Sequence, residues 1–350
     1  MAQLRGTINQ MMKRILTGDR PTGRLHLGHY VGTLSNRVAL QNKYEIFISI
    51  ADLHSLTDRL ENPEKVGQIK DNVRELVLDY LAVGINPDKT TILLQSGIPE
   101  ITELFTILMS LVTIARAERL PALKEKIRDQ KIEHPTMGLL NYPILMAADI
   151  LSLRAHIVPV GKDQESHIEF AREIAKSFNR LYGRGEEIFP EPEAIIGEAQ
   201  SLPGIDGKAK MSKSLNNAIF LSDEEKVVEE KVMKMYTDPK RTSPSVPGTV
   251  EGNPVFIYHN IFNKDKVEVE KLEEAYRKGK VGDVEVKQQL AKAINTFLNP
   301  IRFRRKNFED QTGIVEKVIT EGTKKARVEI QQTLSLVKKQ LGLLEISENG

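Results

Sequence analysis

The segment Arg20-Pro-Thr-Gly-Arg-Leu-His-Leu-Gly-His29 follows a short apolar run, Arg14-Ile-Leu-Thr-Gly18. This order predicts a buried strand, a tight turn at Pro21 to Gly23 and then the start of a helix. Further apolar runs, such as Tyr44–Ile50 and Thr90–Gln95, alternate with amphipathic segments. The alternation predicts an α/β fold built on a doubly wound parallel sheet.

The first turn of this helix is a candidate phosphate site. A helix N-terminus presents unpaired N–H groups and a partial positive charge. Gly28 has no Cβ, so a ligand can approach the backbone closely. His26 and His29 are three residues apart, share one face of the turn and can donate to phosphate oxygens. Taken alone, this pattern fits an ordinary strand–helix turn equally well.

A second stretch, Lys208-Ala-Lys-Met-Ser-Lys-Ser214, favours the phosphate interpretation. It places three lysines and two hydroxyls within seven residues, in a Gly-rich polar loop. Such a loop can wrap a polyphosphate and neutralise the charge that builds on a leaving group. The alternative is a solvated basic loop, which is what lysines alone usually indicate.

Polar side chains follow the second predicted strand, at the point where open α/β sheets bind ligands. Asp52, His54 and Thr57 come just after Ile50 and are pocket candidates. The alternative is a helix cap beside a satisfied surface histidine.

The segment that begins at Tyr142 predicts a helix with an acid on an apolar face. Pro143 suits the first turn of a helix, and Tyr142, Met146, Asp149 and Ile150 recur at helical spacing. An acid on such a face is costly unless it has a partner. The alternative is that the apolar side chains pack on the sheet and that Asp149 points to a wet edge.

The next strand ends close to this helix in the predicted sheet. The run Ile157-Val-Pro-Val-Gly161 predicts a buried strand, and Gly161-Lys-Asp-Gln164 opens the helix after it. Asp163 and Gln164 therefore lie at a strand's carboxyl end and can supply polar contacts beside Asp149.

The composition of the chain excludes several kinds of functional site. The chain has 350 residues, with 50 Lys and Arg against 48 Asp and Glu, and it contains no cysteine. Disulfides, thiolate catalysis and cysteine zinc sites are therefore excluded. No apolar run approaches the length of a membrane span, and residues 1–13 lack the apolar core of a secretory signal. We expect a cytoplasmic protein with no membrane contact, and a disordered extension at 1–13.

The two motifs together resemble those of the class I aminoacyl-tRNA synthetases. The segments Tyr142-Pro-Ile-Leu-Met-Ala-Ala-Asp-Ile-Leu151 and Val158-Pro-Val-Gly-Lys-Asp-Gln164 are similar to those of the bacterial tryptophanyl-tRNA synthetases. The resemblance extends from about Arg14 to Leu343. Arg20 departs from it, because many members carry a glutamine there.

This resemblance implies activation of L-tryptophan by ATP, with Mg²⁺ accompanying the ATP, and transfer to tRNA(Trp) by a homodimer. It implies no metal ligands from protein side chains. The implied catalytic residues are His26, His29, Lys210 and Lys213. The implied ATP contacts are Arg20, Pro21, Thr22, Gly28, His29, Gly161, Lys162, Asp163, Lys210, Met211, Ser212, Lys213 and Ser214. The implied amino-acid contacts are Tyr142, Met146, Asp149, Ile150, Val158, Val160, Gln164 and His54.

The implied pocket suits an indole ring. Indole Nε1–H is only a donor, so the residue that reads it must be an acceptor such as Asp149. The sulfur of Met146 packs well on aromatic rings. Two alternatives remain open: a tyrosyl-tRNA synthetase, whose members usually carry glutamine in place of Met146, and a paralogue that retains adenylate formation in a regulatory or binding role.

The predicted domain organisation places both motifs in a Rossmann-like catalytic domain at 14–221. A small C-terminal helical domain follows at 222–310, which the resemblance implies binds the tRNA anticodon, and a final helix at 311–350 is expected to pack back on the catalytic domain. The dense basic cluster Arg302, Arg304, Arg305 and Lys306 has two interpretations. It is either a solvated face or a contact with the tRNA backbone.

Overall fold

The computed structural model describes residues 13–57, 60–129, 131–196 and 202–344, without the side chains of Asp163 and Ile196. The predicted extension therefore lies outside the described part of the chain, apart from Lys13. Within these ranges, no helix combines the length and the apolar character that crossing a bilayer requires.

A five-stranded sheet forms the centre of the molecule, and all of its strand pairings are parallel. The strand order is β3-β2-β1-β4-β5. The strands are β1 (Arg14–Asp19), β2 (Glu45–Ile50), β3 (Thr90–Leu94), β4 (Ile157–Val160) and β5 (Glu193–Ile196). The predicted doubly wound parallel sheet is confirmed.

Helices connect the strands and continue after the sheet. The helices of the sheet region are α1 (Leu27–His29), α2 (Ser35–Leu40), α3 (Asp52–Leu56), α4 (Pro63–Gly67), α5 (Ile69–Val83), α6 (Pro99–Met109), α7 (Ile114–Glu118), α8 (Pro121–Asp129), α9 (Met137–Ser152) and α10 (Glu165–Tyr182). The C-terminal helices are α11 (Glu225–Met233), α12 (Pro254–Phe262), α13 (Lys266–Arg277), α14 (Asp283–Glu309) and α15 (Ile314–Leu341). A π-helical turn (Tyr30–Leu34) joins α1 to α2, and 3₁₀ turns follow β3 (Gln95–Gly97) and β4 (Lys162–Gln164).

The order of the strands places a cleft between β1 and β4. The chain builds outward from β1 to β2 and β3, then returns across β1 to form β4 and β5. The connections at β1 and β4 therefore diverge, which opens a crevice at their carboxyl ends. This crevice is where the fold is expected to bind a ligand.

Alternate residues of each strand feed two apolar layers, one on each face of the sheet. Ile15, Ile46 and Ile48 belong to a core that continues into α5 and the C-terminal helices α11, α12 and α14. Leu16 and Phe47 face the other core, which includes α6, α9, α10 and part of α15. The C-terminal helices thus share a continuous core with the sheet.

Helix α15 covers the exposed edge of β3. Thr323 Oγ1 accepts a hydrogen bond of 2.9 Å from the Leu94 N–H. The helix backbone approaches the strand closely at Gly322, where an added Cβ would lie 1.9 Å from the Ile92 carbonyl oxygen. A polar helix side chain thus satisfies an edge donor that would otherwise invite pairing with another chain.

One local prediction was wrong. Pro143 lies inside α9 rather than in its first turn, because the helix begins six residues earlier and Thr136 caps it through the Leu139 N–H. Helix α14 runs through Pro300 to Glu309, so the basic cluster lies within a helix.

All three arginines of the basic cluster make internal contacts, so they do not form a solvated face; the contact with the tRNA backbone stays a prediction. Arg302 donates to the Asp223 carbonyl at 2.8 Å, and Arg304 donates to the Ala82 carbonyl at 2.6 Å. Arg305 is buried in an ion-pair network. Of the four residues, only Lys306 is exposed to solvent.

Candidate active site

A cavity of about 610 Å³ opens at the carboxyl ends of β1, β2 and β4. Strand-end residues, helix α9 and the helical segment α8 line it. The lining residues are Leu16, Thr17, Gly18, Asp19, Arg20, Thr33, Arg37, Ser49, Ala51, His54, Thr57, Ala122, Glu125, Lys126, Tyr142, Met146, Asp149, Ile150, Val158, Pro159, Val160, Gly161 and Gln164.

One carboxylate is held against the apolar part of this cavity. Asp149 is 7% exposed, and Gln95 donates to both of its oxygens, at 2.8 and 2.9 Å. His54 Nε2 lies 2.8 Å from Asp149 Oδ2. Since a carboxylate oxygen only accepts, this ring nitrogen carries the hydrogen. Two donors therefore fix the carboxylate, while oxygen lone pairs remain for a ligand donor.

Tyr142 shapes the same cavity one helical turn before Met146. Its hydroxyl lies 2.9 Å from Nε2 of the buried His167. The Lys126 ammonium lies 4.8 Å from the centre of the Tyr142 ring, a cation–π geometry. His167 therefore contacts the hydroxyl of Tyr142, and Lys126 contacts the face of its ring. The Lys126 ammonium, from α8, also borders the cavity.

The two histidines of the first motif lie against each other. Their ring centroids are 3.7 Å apart, and the His26 backbone N–H donates to His29 Nδ1 at 3.1 Å. Burial, the neighbouring His29 and the charges of Lys213 and Lys210 lower the pKa of His26 to about 3. Burial also lowers the pKa of His29, to about 4, although the Asp19 charge opposes this. Both rings are neutral near pH 7.

Met211 of the lysine loop packs directly on the first motif. The Gly28 N–H points to the Met211 sulfur at 3.3 Å. A Cβ at position 28 would lie 3.0 Å from His26 Nδ1 and 3.4 Å from Met211 Cβ. Gly28 therefore permits the close contact between the two motifs.

Lys213 also joins the loop to the turn after β1. Its Nζ donates to Thr22 Oγ1 at 3.1 Å and to the Gly23 carbonyl at 2.9 Å. Gly23 has a φ of +97°, a backbone conformation that glycine adopts most easily. The lysine side chain thus reaches the turn that leads into His26.

A buried polar cluster forms the wall beneath the end of β1. Arg37 and Tyr80 both donate to Asp19 Oδ2, each at 2.5 Å. Burial raises the pKa of Asp19, but the Arg37 charge and the two hydrogen bonds outweigh it and leave the pKa at about 2. Asp19 is therefore charged throughout the neutral range and lies close enough to influence His29.

The structure brings eleven of the predicted site residues to one cavity, whereas Asp52 does not line it. The eleven are Arg20, His54, Thr57, Tyr142, Met146, Asp149, Ile150, Val158, Val160, Gly161 and Gln164. The two motifs contact each other beside it through Gly28, Met211, Thr22 and Lys213. Lys162 instead lines a separate groove with Arg116 and Glu165, and the Asp163 side chain lies outside the described residues.

Sequence reasoning missed several residues of the site. Gln95 follows the end of β3, and the strand-end argument used for His54 would have found it. Lys126 and Glu125 come from a charged segment that resembles a surface excursion. Arg37 lies on the face of a short helix, and no motif marks it.

Comparison with known proteins supports one family. The family model described as tRNA synthetases class I (W and Y) matches residues 9–299. The chain belongs to this family. It is 54% identical over 332 residues to a tryptophan–tRNA ligase of Treponema pallidum, covering 95% of this chain and 97% of that protein. It is 52% identical over 335 residues to a tryptophan–tRNA ligase of Borreliella burgdorferi, covering 95% of each.

A solved structure of the family has the same fold. The tryptophanyl-tRNA synthetase of Campylobacter jejuni, in complex with ADP and tryptophan, aligns with a TM-score of 0.84 at 34% identity. The alignment covers 94% of this chain and all of that chain. The class I synthetase architecture, with a Rossmann-like sheet followed by C-terminal helices, is therefore confirmed.

Proposed function

We propose that the protein activates L-tryptophan with ATP to form tryptophanyl-adenylate and transfers the tryptophanyl group to tRNA(Trp). The observation that carries this proposal is the Asp149 carboxylate, held by Gln95 and His54 against the apolar part of the cavity. The relatives that are about half identical over nearly the whole chain are tryptophan–tRNA ligases, which supports the same substrate.

The amino-acid site is proposed to hold the indole ring between Met146, Ile150, Val158 and Val160. Asp149 accepts the indole N–H, since it is the acceptor that the buried donors hold in place. An amino acid that lacks this donor would leave a buried carboxylate without its ligand partner, which costs binding free energy. Tyr142, Gln164 and His54 supply the polar contacts around the ring and the α-amino group.

The ATP site is proposed to lie where the two motifs meet. The complex of the Campylobacter jejuni relative with ADP supports nucleotide binding in this fold. The proposed nucleotide contacts are Arg20, Pro21, Thr22, His26, Gly28, His29, Gly161, Lys162, Asp163, Lys210, Met211, Ser212, Lys213 and Ser214. Within this set, Gly161 to Asp163 would border the ribose and adenine, and Lys162 would have to turn from its present groove to do so.

In the first chemical step, the tryptophan carboxylate attacks the α-phosphorus of ATP, and pyrophosphate leaves with the electrons of the broken P–O bond. The protein needs to align the reactants and to stabilise charge. His26 and His29 are neutral and donate hydrogen bonds to phosphate oxygens without adding a proton to them. Lys210 and Lys213 stabilise the departing pyrophosphate.

Mg²⁺ is proposed to arrive with ATP rather than to bind a protein cage. Among the described residues, no group of three histidine, aspartate or glutamate side chains is placed to hold a metal ion. Mg²⁺ commonly keeps several waters and binds substrate phosphates. The ion would neutralise phosphate charge beside the lysines.

The proposed domain roles follow the predicted bounds. Residues 14–221 carry the chemistry, 222–310 bind the anticodon, and the final helix within 311–350 fastens the C-terminal part to the sheet. We propose a homodimer, as the family resemblance implies. A role in charging tRNA implies action in the cytoplasm.

Charging of tRNA tests the proposal as a whole. Purified protein, ATP, labelled tryptophan and unfractionated tRNA should give acid-precipitable label, and a tRNA(Trp) transcript should replace the mixture. Label with tyrosine instead of tryptophan would support the tyrosyl alternative. Adenylate formation without any charged tRNA would support the paralogue with a binding or regulatory role.

A further inference from the structure

A buried carboxylate outside the cavity contacts the backbone that leads into the first motif. Asp79, on α5, is 0% exposed, and its Oδ2 accepts the Leu25 N–H at 2.6 Å. Leu25 directly precedes His26, and its carbonyl accepts the Leu221 N–H at 2.9 Å. Both backbone groups of Leu25 are therefore fixed, one by α5 and one by the chain just after the lysine loop.

The other oxygen of the same carboxylate contacts a C-terminal helix. Arg305 of α14 donates to Asp79 Oδ1 at 2.5 Å and is itself 6% exposed. Its remaining donors go to Glu75 at 2.8 Å and to Glu309 at 2.8 Å. One guanidinium thus faces three carboxylates, and Asp79 is the deepest of them.

The ionisation of Asp79 depends on this arginine. Burial raises the pKa of Asp79 to about 6, while the Arg305 charge and the hydrogen bond from the Leu25 N–H pull it downward. Removal of the guanidinium would leave a buried carboxylate without its cation, and such a group takes up a proton. Arg305 therefore keeps the acceptor of the Leu25 N–H charged near neutral pH.

We propose that Asp79 is a positioning residue for the first motif and that Arg305 couples this function to the packing of α14 against α5. The pair fixes the start of the turn that carries His26 and His29, without contact with the substrate cavity. The inference rests on the proposed function for its effect on catalysis, since it assigns to the motif a role in adenylate formation. The geometry itself does not depend on that role.

Variants of the two residues test the coupling, with Arg304 as a matched control. Arg304 lies beside Arg305 on the same helix and also bonds to α5, at the Ala82 carbonyl, but does not contact Asp79. The variants are Asp79→Ala, Arg305→Met, Arg305→Lys and Arg304→Met. Each is measured by thermal unfolding, by kcat and KM in tryptophan-dependent ATP–pyrophosphate exchange, and by amide hydrogen exchange of the peptide that contains residues 24–34.

We expect Asp79→Ala and Arg305→Met to lower kcat at least about tenfold, because a small misplacement of reacting groups is costly. The KM for tryptophan should stay within about twofold of wild type, since its proposed pocket lies on other elements. Arg305→Lys, which keeps the cation, should restore most of the activity. Amide exchange at residues 24–34 should accelerate in Asp79→Ala and not in Arg304→Met.

Equal effects of Asp79→Ala and Arg304→Met on kcat and amide exchange would overturn the proposal, because they would indicate helix packing alone. Equal losses of kcat in Arg305→Met and Arg305→Lys would also overturn the proposal. This second comparison remains decisive even when Asp79→Ala does not fold. A wild-type protein without exchange activity would refute the proposed function instead. The amide-exchange comparison would then test the coupling on its own.

Discussion

His54 Nε2 and Asp149 Oδ2 lie 2.8 Å apart at the wall of the main cavity, although 95 residues separate them in the chain. Gln95 completes the arrangement by donating to both carboxylate oxygens. Buried donors on two sides leave the carboxylate little freedom to rotate. The direction in which Asp149 can accept a ligand hydrogen is therefore set before the ligand binds.

Replacement of Asp149 should remove tryptophan recognition selectively. Asp149→Ala takes away the ligand acceptor and leaves the donors of His54 and Gln95 unpaired. We expect kcat/KM for tryptophan to fall at least about 100-fold, or about 2.7 kcal/mol. The chain contains no tryptophan, so the fluorescence of the ligand indole measures its binding directly. ATP-dependent thermal stabilisation is the control and should persist; tryptophan affinity unchanged from wild type would contradict the assignment.

Lys213 should act on the departure of pyrophosphate rather than on amino-acid binding. Lys213→Met removes the cation that reaches the turn at Thr22 and Gly23. We expect kcat of ATP–pyrophosphate exchange to fall by about 100-fold or more, with tryptophan affinity within about twofold of wild type. Lys226→Met, at an exposed position on α11, is the matched control. Equal activity in the two variants would show that the loop lysine has no role in catalysis.

The buried His26 and the half-buried His29 should make the free energy of unfolding fall in acid. The pKa values of His26 and His29 lie at about 3 and 4 in the folded chain, below the ordinary 6.5. Between the folded-state and the unfolded-state pKa of each histidine, the unfolded state binds more protons than the folded state. The free energy of unfolding therefore falls as the pH drops below 6.5. Each histidine contributes up to about 1.4 kcal/mol per pH unit.

The measurement is chemical denaturation of wild type and His26→Gln from pH 7 to pH 4, and the variant should show the shallower slope. The slope of the variant is compared with that of wild type because Asp79 changes the free energy of unfolding with pH in the opposite direction in both proteins. Its pKa, raised to about 6, contributes stability that is lost as pH rises through that value. Parallel slopes in the two proteins would refute the burial of a neutral His26.

Much of the fold could be predicted because its signals are local. The strand before His26 and the lysine loop are continuous stretches of sequence. The strand-end rule placed His54 at the edge of the sheet where the cavity opens. β5 was not predicted, because Pro190 and Pro192 beside it indicate a loop. Pro143 was expected at the start of a helix, but packing and the Thr136 cap outweigh its missing N–H.

Contacts between residues distant in the chain could not be predicted. The Asp79–Arg305 pair spans 226 residues, and a sequence shows only that each is charged. A dense cluster of arginines usually indicates a solvent-exposed face or a contact with nucleic acid. Arg305, however, is buried and forms ion pairs within the protein. The class of sheet, parallel and doubly wound, was predictable from the sequence. The side-chain contacts that the strand order creates depend on three-dimensional packing.

Gly322 should be essential for the docking of α15 on β3. In Gly322→Ala the new Cβ would lie 1.9 Å from the Ile92 carbonyl oxygen, so the helix must move away and loosen the core beneath it. We expect a loss of about 2–3 kcal/mol in the free energy of unfolding, measured by urea denaturation. Gly67→Ala is the control, since no described atom lies within 4 Å of its added Cβ. Equal stability of the two variants would contradict the close approach.

Amino-acid-dependent ATP–pyrophosphate exchange without tRNA is the decisive test of the substrate assignment, with tryptophan, tyrosine and phenylalanine compared at equal concentration. We predict exchange with tryptophan and at least about 100-fold less with the other two amino acids. Exchange with tyrosine at a comparable rate would contradict the indole pocket built on Met146 and Asp149. The absence of exchange with all three would contradict the proposed enzyme activity itself.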